Sequence, residues 1–386
     1  MSRSEVSEGY NSLVVPPGPS PTKDNRKLGI SIVVPTYREA GTISAFLERV
    51  EAAAPSWGAP MELLVMDDDS GDGIESVIEQ CQKSWVRLAI RRTDRGLSQA
   101  VLAGFDLAQY DILVVMDADL SHPPEVIEQL VHALKSGADM AVGSRYIAGG
   151  STDAAWGFSR WLKSRVATVM ARPFARIGDP MSGFFALRRA TFEGAHSLNP
   201  IGYKIALELI VKCPCQDICE VPINFIDRRQ GQSKLGFLEH LKYVQHIRRL
   251  AIWRYPNITH LSQFLLVGAS GVVVNLLMLS LLLALGLAVP IAVAVAITVS
   301  MLSNFILHRQ FAFSYARSGL VQIQLLRFSA ACGLGAILNC AVTLSILGIV
   351  PGLLPQFAAL SGIGAATTIN YLTNRYLVFR KNDGPR

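Results

Sequence analysis

The distribution of apolar residues divides the chain into two parts of different character. Over roughly the first 255 residues, short apolar runs alternate with polar turns and amphipathic segments. From Leu261 to Leu307, and again from Phe328 to Asn374, the chain contains no Asp, Glu, Lys or Arg. Each of these runs is long enough for two membrane-crossing helices of about 20 residues. The pattern therefore predicts a water-soluble part followed by a membrane part.

In the first part, the periodicity of the apolar positions switches repeatedly between that of a strand and that of a helix. Runs rich in β-branched residues, such as GISIVVPTY, MELLVMDD and DILVVMDAD, predict strands. Amphipathic segments such as SAFLERVEAAA and PPEVIEQLVHALKSG predict the helices between them. This alternation predicts a mostly parallel sheet with helices on both faces. Ligands of such sheets collect beyond the carboxyl ends of the strands.

A set of mostly polar side chains follows the predicted strands at that edge. They are Pro35, Tyr37 and Glu39 after the first strand, Asp67, Asp68 and Asp69 after the second, Asp117 and Asp119 after the fourth, and Arg145 after the fifth. Neither GxGxxG nor GxxxxGK[ST] follows the first strand, which argues against a dinucleotide-binding dehydrogenase and a P-loop enzyme.

The segment VVMDADLSHPPE places Asp117 and Asp119 one residue apart at the end of a buried strand. Two carboxylates in that position require a positive partner. A hard divalent cation, Mg²⁺ or Mn²⁺, takes one or two carboxylates from protein and its other ligands from phosphate and water. Such an ion would offset the charge that develops on a departing nucleoside diphosphate.

Six segments occur in an order and spacing that resemble a known family. They are SIVVPTYREAGTI, VMDDDSGDG, MDADLSHPPE, VGSRYIAGG, DPMSGFFALRR and FIDRRQGQSKLG. Together they resemble the family-2 glycosyltransferases of the GT-A fold, and within them the polyprenol-phosphate (dolichol-phosphate) mannose synthases. The resemblance covers roughly residues 30–255 and implies an α/β domain with a Rossmann-like mixed sheet.

The resemblance also implies a role for individual residues. The nucleoside would be held by Pro35, Tyr37, Glu39, Met66 and Asp68. The diphosphate and metal would face Asp117, Ala118 and Asp119, with Asp117 and Asp119 as metal ligands. Phosphates of donor or acceptor would be bound by Arg145, Arg228 and Lys234, and Ser182 matches a position near the acceptor phosphate. The implied catalytic set is Asp117, Asp119, Arg145 and Ser182. The chain departs from the family pattern at Ser121, where members commonly carry Gln.

The reaction that the resemblance implies is transfer of mannose from GDP-mannose to dolichyl or polyprenyl phosphate. A lipid monophosphate is already an anionic nucleophile and needs no general base, unlike a sugar hydroxyl. Direct attack at C1 inverts the anomeric centre. Two alternatives stay open: a glucosyltransferase that uses UDP-glucose, and a lipid-linked sugar flippase with a regulatory soluble domain. Processive polysaccharide synthases carry QxxRW, whereas this chain has only QHIRR.

In the membrane part, four spans are predicted near residues 262–285, 287–307, 328–348 and 353–374. Basic residues cluster before residue 260, in 308–327 and after 374, so the catalytic domain and both termini are predicted to be cytoplasmic, in an integral protein of the cell membrane. NFILHRQFAF and NYLTNRYLVF, which begin at Asn304 and Asn370, form an internal repeat. This part resembles the GtrA-like four-helix membrane domain.

These observations predict a domain organisation. Residues 1–28 form a disordered leader, 29–234 the GT-A domain, 235–257 interfacial amphipathic helices, and 258–386 the membrane domain. The net charge of +6 arises largely from basic residues beside the membrane segments, so anionic lipid explains it better than nucleic acid, which is not an expected partner. The six cysteines do not have metal-site spacing and are expected to be reduced.

Overall fold

The computed structural model of the protein describes residues 29–152, 158–225, 237–353 and 355–380. The chain forms two compact units, Met1–Leu250 and Ala251–Arg386.

The first unit is built on a seven-stranded mixed sheet. Its strands are β1 (Ile30–Thr36), β2 (Met61–Asp67), β3 (Val86–Ile90), β4 (Ile112–Val115), β5 (Met140–Ser144), β7 (Phe185–Arg188) and β8 (Ile218–Pro222), while β6 (Ser151–Thr152) and β9 (Asn224–Phe225) form a separate pair. The spatial order is β3-β2-β1-β4-β7-β5-β8. The predicted α/β class with a mixed sheet is confirmed, and β1 to β5 are the five predicted strands.

Strand β7 runs antiparallel to both of its neighbours, β4 and β5. Because the strands on either side of it are parallel to each other, the segment that enters β7 lies at the edge where β4 and β5 end. The sequence pattern did not predict β7 or β8 as strands. The reversed strand brings the DPMSGFF segment to the carboxyl edge of the sheet.

Helices cover the sheet on both faces. In the first unit they are α1 (Ala40–Ala53), α2 (Ile74–Cys81), α3 (Leu97–Leu107), α4 (Ile127–Lys135), α5 (Phe158–Ala171), α6 (Arg189–Glu193), α7 (Ile205–Lys212) and α8 (Phe237–Arg254). Alternate residues of β1 enter different cores: Ile32 belongs to the core beneath α1, and Val33 to the core beneath α3. Helix α3 packs closely, since a Cβ at Gly104 would lie 2.3 Å from Cγ1 of Val33.

Helix α8 coincides with the segment predicted to be interfacial. Tyr243 and Leu250 belong to the core beneath α3, and the Tyr243 hydroxyl donates to the carbonyl of Ala167 at 2.7 Å. Buried His246 accepts the Ile201 N–H at 3.2 Å. One face of α8 is therefore part of the catalytic unit's core, and its interfacial role remains a prediction.

The second unit consists of apolar helices. They are α9 (Pro256–Ala284), α10 (Val289–Leu307), α11 (Val321–Ile349) and α12 (Pro355–Thr373). Single turns of π-helix, His308–Ala312 and Asn374–Val378, continue α10 and α12. Within the described part of the chain, three segments are long and apolar enough to cross a membrane: Pro256–Ala284, Val289–Ala312 and Val321–Ile349. The fourth predicted span coincides with α12 and remains a prediction.

Candidate functional site

The ends of β1 and β2 carry the residues predicted to hold a nucleoside. Pro35 and Met66 are register neighbours in the parallel ladder, so the two strands end side by side. Met66 is fully buried, whereas the Tyr37 side chain is 41% exposed. Glu39 precedes α1, and its carboxylate accepts the Thr42 hydroxyl at 3.0 Å. The predicted nucleoside residues therefore lie on adjacent strand ends.

The Asp67 and Asp68 carboxylates have different partners. Asp67 accepts the Thr36 hydroxyl at 3.0 Å and the Ser70 amide at 2.8 Å, which ties the end of β1 to the turn after β2. Asp68 forms an ion pair with Arg91 and accepts the Gly96 N–H at 2.6 Å. Gly96 has φ +128°, a conformation that glycine adopts without strain. Asp68 is thus fixed by Arg91 at the end of the neighbouring strand, a partner that the sequence pattern did not indicate.

The turn after β4 is organised by Asp119. Its Oδ1 accepts the Ser121 amide at 3.1 Å and the Ser121 hydroxyl at 2.5 Å. Leu120 between them has φ +64°, a left-handed conformation that is uncommon for a branched residue. Ser121, the position where the family commonly has Gln, therefore orients the Asp119 carboxylate directly. Ala118 is buried beneath this turn.

Asp117 packs against a buried histidine. Its amide donates to Nδ1 of His122 at 3.1 Å, and its Oδ2 lies 3.8 Å from the same nitrogen. Burial lowers the pKa of His122 against the opposing influence of the nearby carboxylates of Asp117, Asp119 and Asp179. Since Nδ1 accepts the amide hydrogen, the imidazole is neutral. The His122 ring stacks on the Phe184 ring, with the ring centroids 5.2 Å apart. The histidine therefore supports the turn formed by Asp117, Ala118 and Asp119, which is called the DAD turn below.

Arg145 follows β5 and is held by Asp179. Its Nε and Nη2 donate to the two oxygens of Asp179 at 2.6 and 2.8 Å. Burial opposes the charge of Arg145, but the Asp179 carboxylate outweighs it and raises the pKa of the guanidinium. The Asp179 and Gly178 amides in turn donate to Glu220 on β8. A chain of contacts from β8 thus orients Arg145.

Lys204, immediately before α7, is a further cation in this cluster. Its Nζ donates to the carbonyl of Met181 at 2.9 Å. Burial, together with the positive charge of Arg145, lowers the pKa of Lys204 to about 8, while Asp179 and Asp117 act in the opposite direction. Lys204 therefore lies within electrostatic range of both the DAD turn and Arg145. Nothing in the sequence around GYKIALE indicated this, because the position depends on a loop that returns to the sheet edge.

The segment that enters β7 completes the edge. Gly183 stands against the DAD turn, since a Cβ on it would lie 3.5 Å from Oδ2 of Asp117. The Ser182 hydroxyl donates to the carbonyl of Phe184 at 3.3 Å and accepts the amide of Phe184 at 3.1 Å. Ser182 is buried, and its hydroxyl organises the turn into β7. The structure therefore brings Asp117, Arg145 and the Ser182 segment together.

The donor set at this edge can be compared with the needs of a divalent ion. Among the described residues, no group of three or more His, Cys, Asp or Glu side chains is placed to hold a metal. Two carboxylates one residue apart, with Asp119 oriented by Ser121, fit a hard cation that takes its remaining ligands from phosphate and water. Arg228 and Lys234, the other predicted phosphate ligands, lie outside the described residues.

Comparison with known proteins shows the family of the chain. Residues 31–194 match the glycosyl transferase family 2 model, and residues 263–383 match the GtrA/DPMS transmembrane domain. The chain is 39% identical to the dolichol-phosphate mannosyltransferase of Pyrococcus furiosus, over 91% of this chain and 99% of that protein. The chain belongs to the dolichol-phosphate mannosyltransferase family. It is a glycosyltransferase with a C-terminal transmembrane domain, as the resemblance in its motifs predicted.

A second relative matches over a shorter part of this chain. The dolichol-phosphate mannosyltransferase of Saccharomyces cerevisiae is 38% identical over 58% of this chain and 88% of that protein. Among solved structures, the glucosyl-3-phosphoglycerate synthase of Mycobacterium tuberculosis, in complex with Mn²⁺ and UDP, is 20% identical, with a TM-score of 0.43 over 58% of this chain and 79% of that one.

Proposed function

We propose that this protein transfers mannose from GDP-mannose to the phosphate of a polyprenol such as dolichol, with inversion at C1 and with Mg²⁺ or Mn²⁺ as cofactor. The observation that carries the proposal is the 39% identity to a dolichol-phosphate mannosyltransferase along nearly the whole of both chains. The similarity includes the membrane part, which suits an acceptor that is itself a lipid.

The donor would lie across the ends of β1, β2 and β4. Pro35 and Met66 would border the nucleoside, and Asp68, fixed by Arg91, would accept hydrogen bonds from it. Asp117 and Asp119 would hold the divalent ion, which supplies positive charge to the diphosphate leaving group when it is bound. Ser121 sets the direction of the Asp119 carboxylate before the donor arrives.

Arg145 and Lys204 would counter the repulsion between two phosphate-bearing substrates. The Asp179 carboxylate occupies Nε and Nη2 of Arg145 and thereby fixes the plane of the guanidinium. Arginine suits phosphate because its planar group presents several donors in a fixed geometry. The acceptor phosphate is anionic and requires no proton transfer before it attacks C1, so the residues of this edge position and neutralise rather than act as a base.

The proposed orientation in the membrane follows from the basic residues that cluster beside the predicted spans. The catalytic domain and both termini would lie in the cytoplasm, where nucleotide sugars are available.

The decisive test uses purified full-length protein with a polyprenyl phosphate and a panel of labelled nucleotide sugars, with Mg²⁺, Mn²⁺ or chelator. Transfer from GDP-mannose, its loss with chelator, and a β-linked product by NMR would support the proposal. Transfer from UDP-glucose alone would refute mannose as the sugar. An absence of transfer from every donor would favour the flippase alternative.

The metal assignment has a separate test in Asp119→Ala. We expect this variant to lose turnover and Mn²⁺ binding, the latter measured by electron paramagnetic resonance without substrate. Glu128→Ala, which removes an exposed carboxylate on α4, serves as the control. Full Mn²⁺ binding by Asp119→Ala would remove this residue from the metal site.

A further inference from the structure

The membrane unit contains a cavity of about 330 Å³ that the transfer reaction does not use. It lies between all four helices of this unit, at the end where α9 and α11 begin and where α10 and α12 pass into their π turns. Its polar lining comes from Asn304, His308, Asn370 and Asn374, and aromatic rings of Phe264 and Phe328 border it. Its size falls near the lower end of small-molecule sites, about 300–1,000 Å³.

The polar side chains of this cavity have unused hydrogen-bonding capacity. Asn304, Asn370 and Asn374 each have a buried side-chain oxygen with no hydrogen-bond partner among the described residues. The same holds for Nδ1 of His308. His308 is 3% exposed and Asn374 is 1% exposed. Leaving a buried polar group without a partner costs about 1–3 kcal/mol, so four such atoms around one cavity indicate a site for a polar ligand.

The backbone beside the cavity has the same form in both copies of the internal repeat. The two π turns begin at His308 and Asn374, which line the cavity, and they close with i→i−5 bonds from Phe313 and Phe379, each 2.8 Å long. Bonds of this span are also usual where a helix ends, so these turns alone do not indicate a ligand. Both copies of the internal repeat carry this turn at the corresponding residue, so the cavity is lined by equivalent positions of the two copies.

The lining also limits the ligand's chemistry. Among the described residues that border the cavity there is no Asp, Glu, Lys or Arg, so a charged group is not matched. Asparagine amides both donate and accept, as hydroxyl groups do. Leu265 and Val272 also line the cavity and are exposed on the apolar surface of the unit, by 48% and 60%. The cavity therefore opens towards the hydrocarbon, which favours a ligand that arrives on a lipid.

We propose that this cavity binds the neutral, hydroxyl-rich sugar head of a membrane lipid, with the amides of Asn304, Asn370 and Asn374 hydrogen-bonded to its hydroxyls. The choice of mannose as that sugar rests on the proposed function. In a polyprenyl phosphate mannose only the sugar would enter the cavity, and the charged phosphodiester would stay outside its uncharged lining. The rings of Phe264 and Phe328 offer apolar faces to the C–H groups of the sugar.

Two substitutions and a matched control test this site. Gly268 lines the cavity, and a Cβ added there meets no atom within 4 Å. Gly268→Leu should therefore fill the cavity without a steric clash at its Cβ. Gly364 is also a helical glycine with nothing within 4 Å of an added Cβ, but it does not line the cavity, so Gly364→Leu is the control. Asn374→Leu replaces the amide by an apolar group with the same number and branching of side-chain heavy atoms.

The experiment is native mass spectrometry of the full-length protein in lipid nanodiscs with n-octyl β-D-mannopyranoside. A polyether detergent of equal chain length, which lacks the sugar, is the comparison probe. We expect the wild type and Gly364→Leu to retain the mannoside, and Gly268→Leu and Asn374→Leu to retain at least tenfold less. If Asn374→Leu does not fold, Gly268→Leu alone decides the result.

The proposal would be overturned if all four proteins retained the mannoside equally or if the wild type retained the polyether equally well. It would also be overturned if the wild type retained no mannoside, since the cavity would then hold only water. Transfer activity is measured on the same preparations. A wild type that transfers mannose but does not retain the mannoside would refute the cavity alone. A wild type that retains the mannoside without transferring mannose would refute the proposed function alone.

Discussion

The contact between Arg145 and Asp179 allows a quantitative prediction for Asp179→Asn. In the native protein both oxygens of Asp179 accept from Arg145, and the side chains are 12% and 0% exposed, so solvent screens the pair little. Removing one partner of a buried ion pair costs about 3–5 kcal/mol. Asparagine keeps the shape and one acceptor, so we expect a loss of about 3 kcal/mol in the free energy of unfolding.

The same substitution is expected to slow the reaction, because the guanidinium loses the partner that fixes its plane. If about 2.7 kcal/mol of transition-state stabilisation is lost, kcat/KM falls about 100-fold, since each 1.36 kcal/mol is a factor of ten. The assays are initial rates with GDP-mannose and polyprenyl phosphate, and denaturant unfolding followed by circular dichroism.

The chain supplies a control with matched geometry. Nε and Nη2 of Arg49 donate to the two oxygens of Glu125, each at 3.0 Å, but these side chains are 34% and 55% exposed. Glu125→Gln should therefore change stability by about 0.5 kcal/mol or less and leave the rate unchanged. Equal effects of the two substitutions would refute the argument from burial. A destabilised Asp179→Asn with normal kcat/KM would show that Asp179 supports the fold only.

Three further predictions concern single residues. Ser121→Ala removes the hydrogen bond from the Ser121 hydroxyl to Asp119, which is 2.5 Å long. One hydrogen bond contributes about 0.5–1.5 kcal/mol, so kcat/KM should fall about 2- to 10-fold. An unchanged Mn²⁺ affinity and rate would contradict the orienting role of Ser121. The pKa of Lys204 is lowered from 10.5 to about 8 in the folded protein. Between these pH values the unfolded chain binds a proton that the folded chain has lost, so the stability of the wild type should rise with pH relative to that of Lys204→Met. Parallel pH profiles of the melting temperature for the two proteins would contradict this. Gly104→Ala places a methyl group 2.3 Å from Val33 and should destabilise the protein by about 1–3 kcal/mol, whereas Gly41→Ala, which meets nothing within 4 Å, should not destabilise it.

The sequence was informative wherever a signal is local. The β-branched runs of β1 to β5 and the amphipathic helices between them have a clear period, so the α/β class and the edge carrying Asp117 and Arg145 could be predicted. Strand β7 was missed because Phe185–Arg188 is only four residues long and follows a Gly-containing turn. Its reversed direction is a property of the sheet and has no local signature.

The site was predictable in part for the same reason. Residues directly after strands could be placed at the edge, whereas the partners that hold them come from distant segments. Arg91 reaches Asp68 from β3, and Glu220 supports the Asp179 turn from β8. Lys204 arrives on a loop about 60 residues after Arg145. These contacts depend on register and loop geometry, which a pattern of apolar positions does not contain.

The repeat in the membrane unit has a consequence for what this unit can do. Both hairpins start and finish at one end, so the second copy reproduces the first with the same polarity along the helices instead of upside down. Many secondary transporters rely on inverted repeats, whose two arrangements open a central site to opposite sides of the bilayer in turn. A duplication of the present kind places Asn304 and Asn370 at the same end of the helices, so the polar lining of one cavity is drawn from both copies.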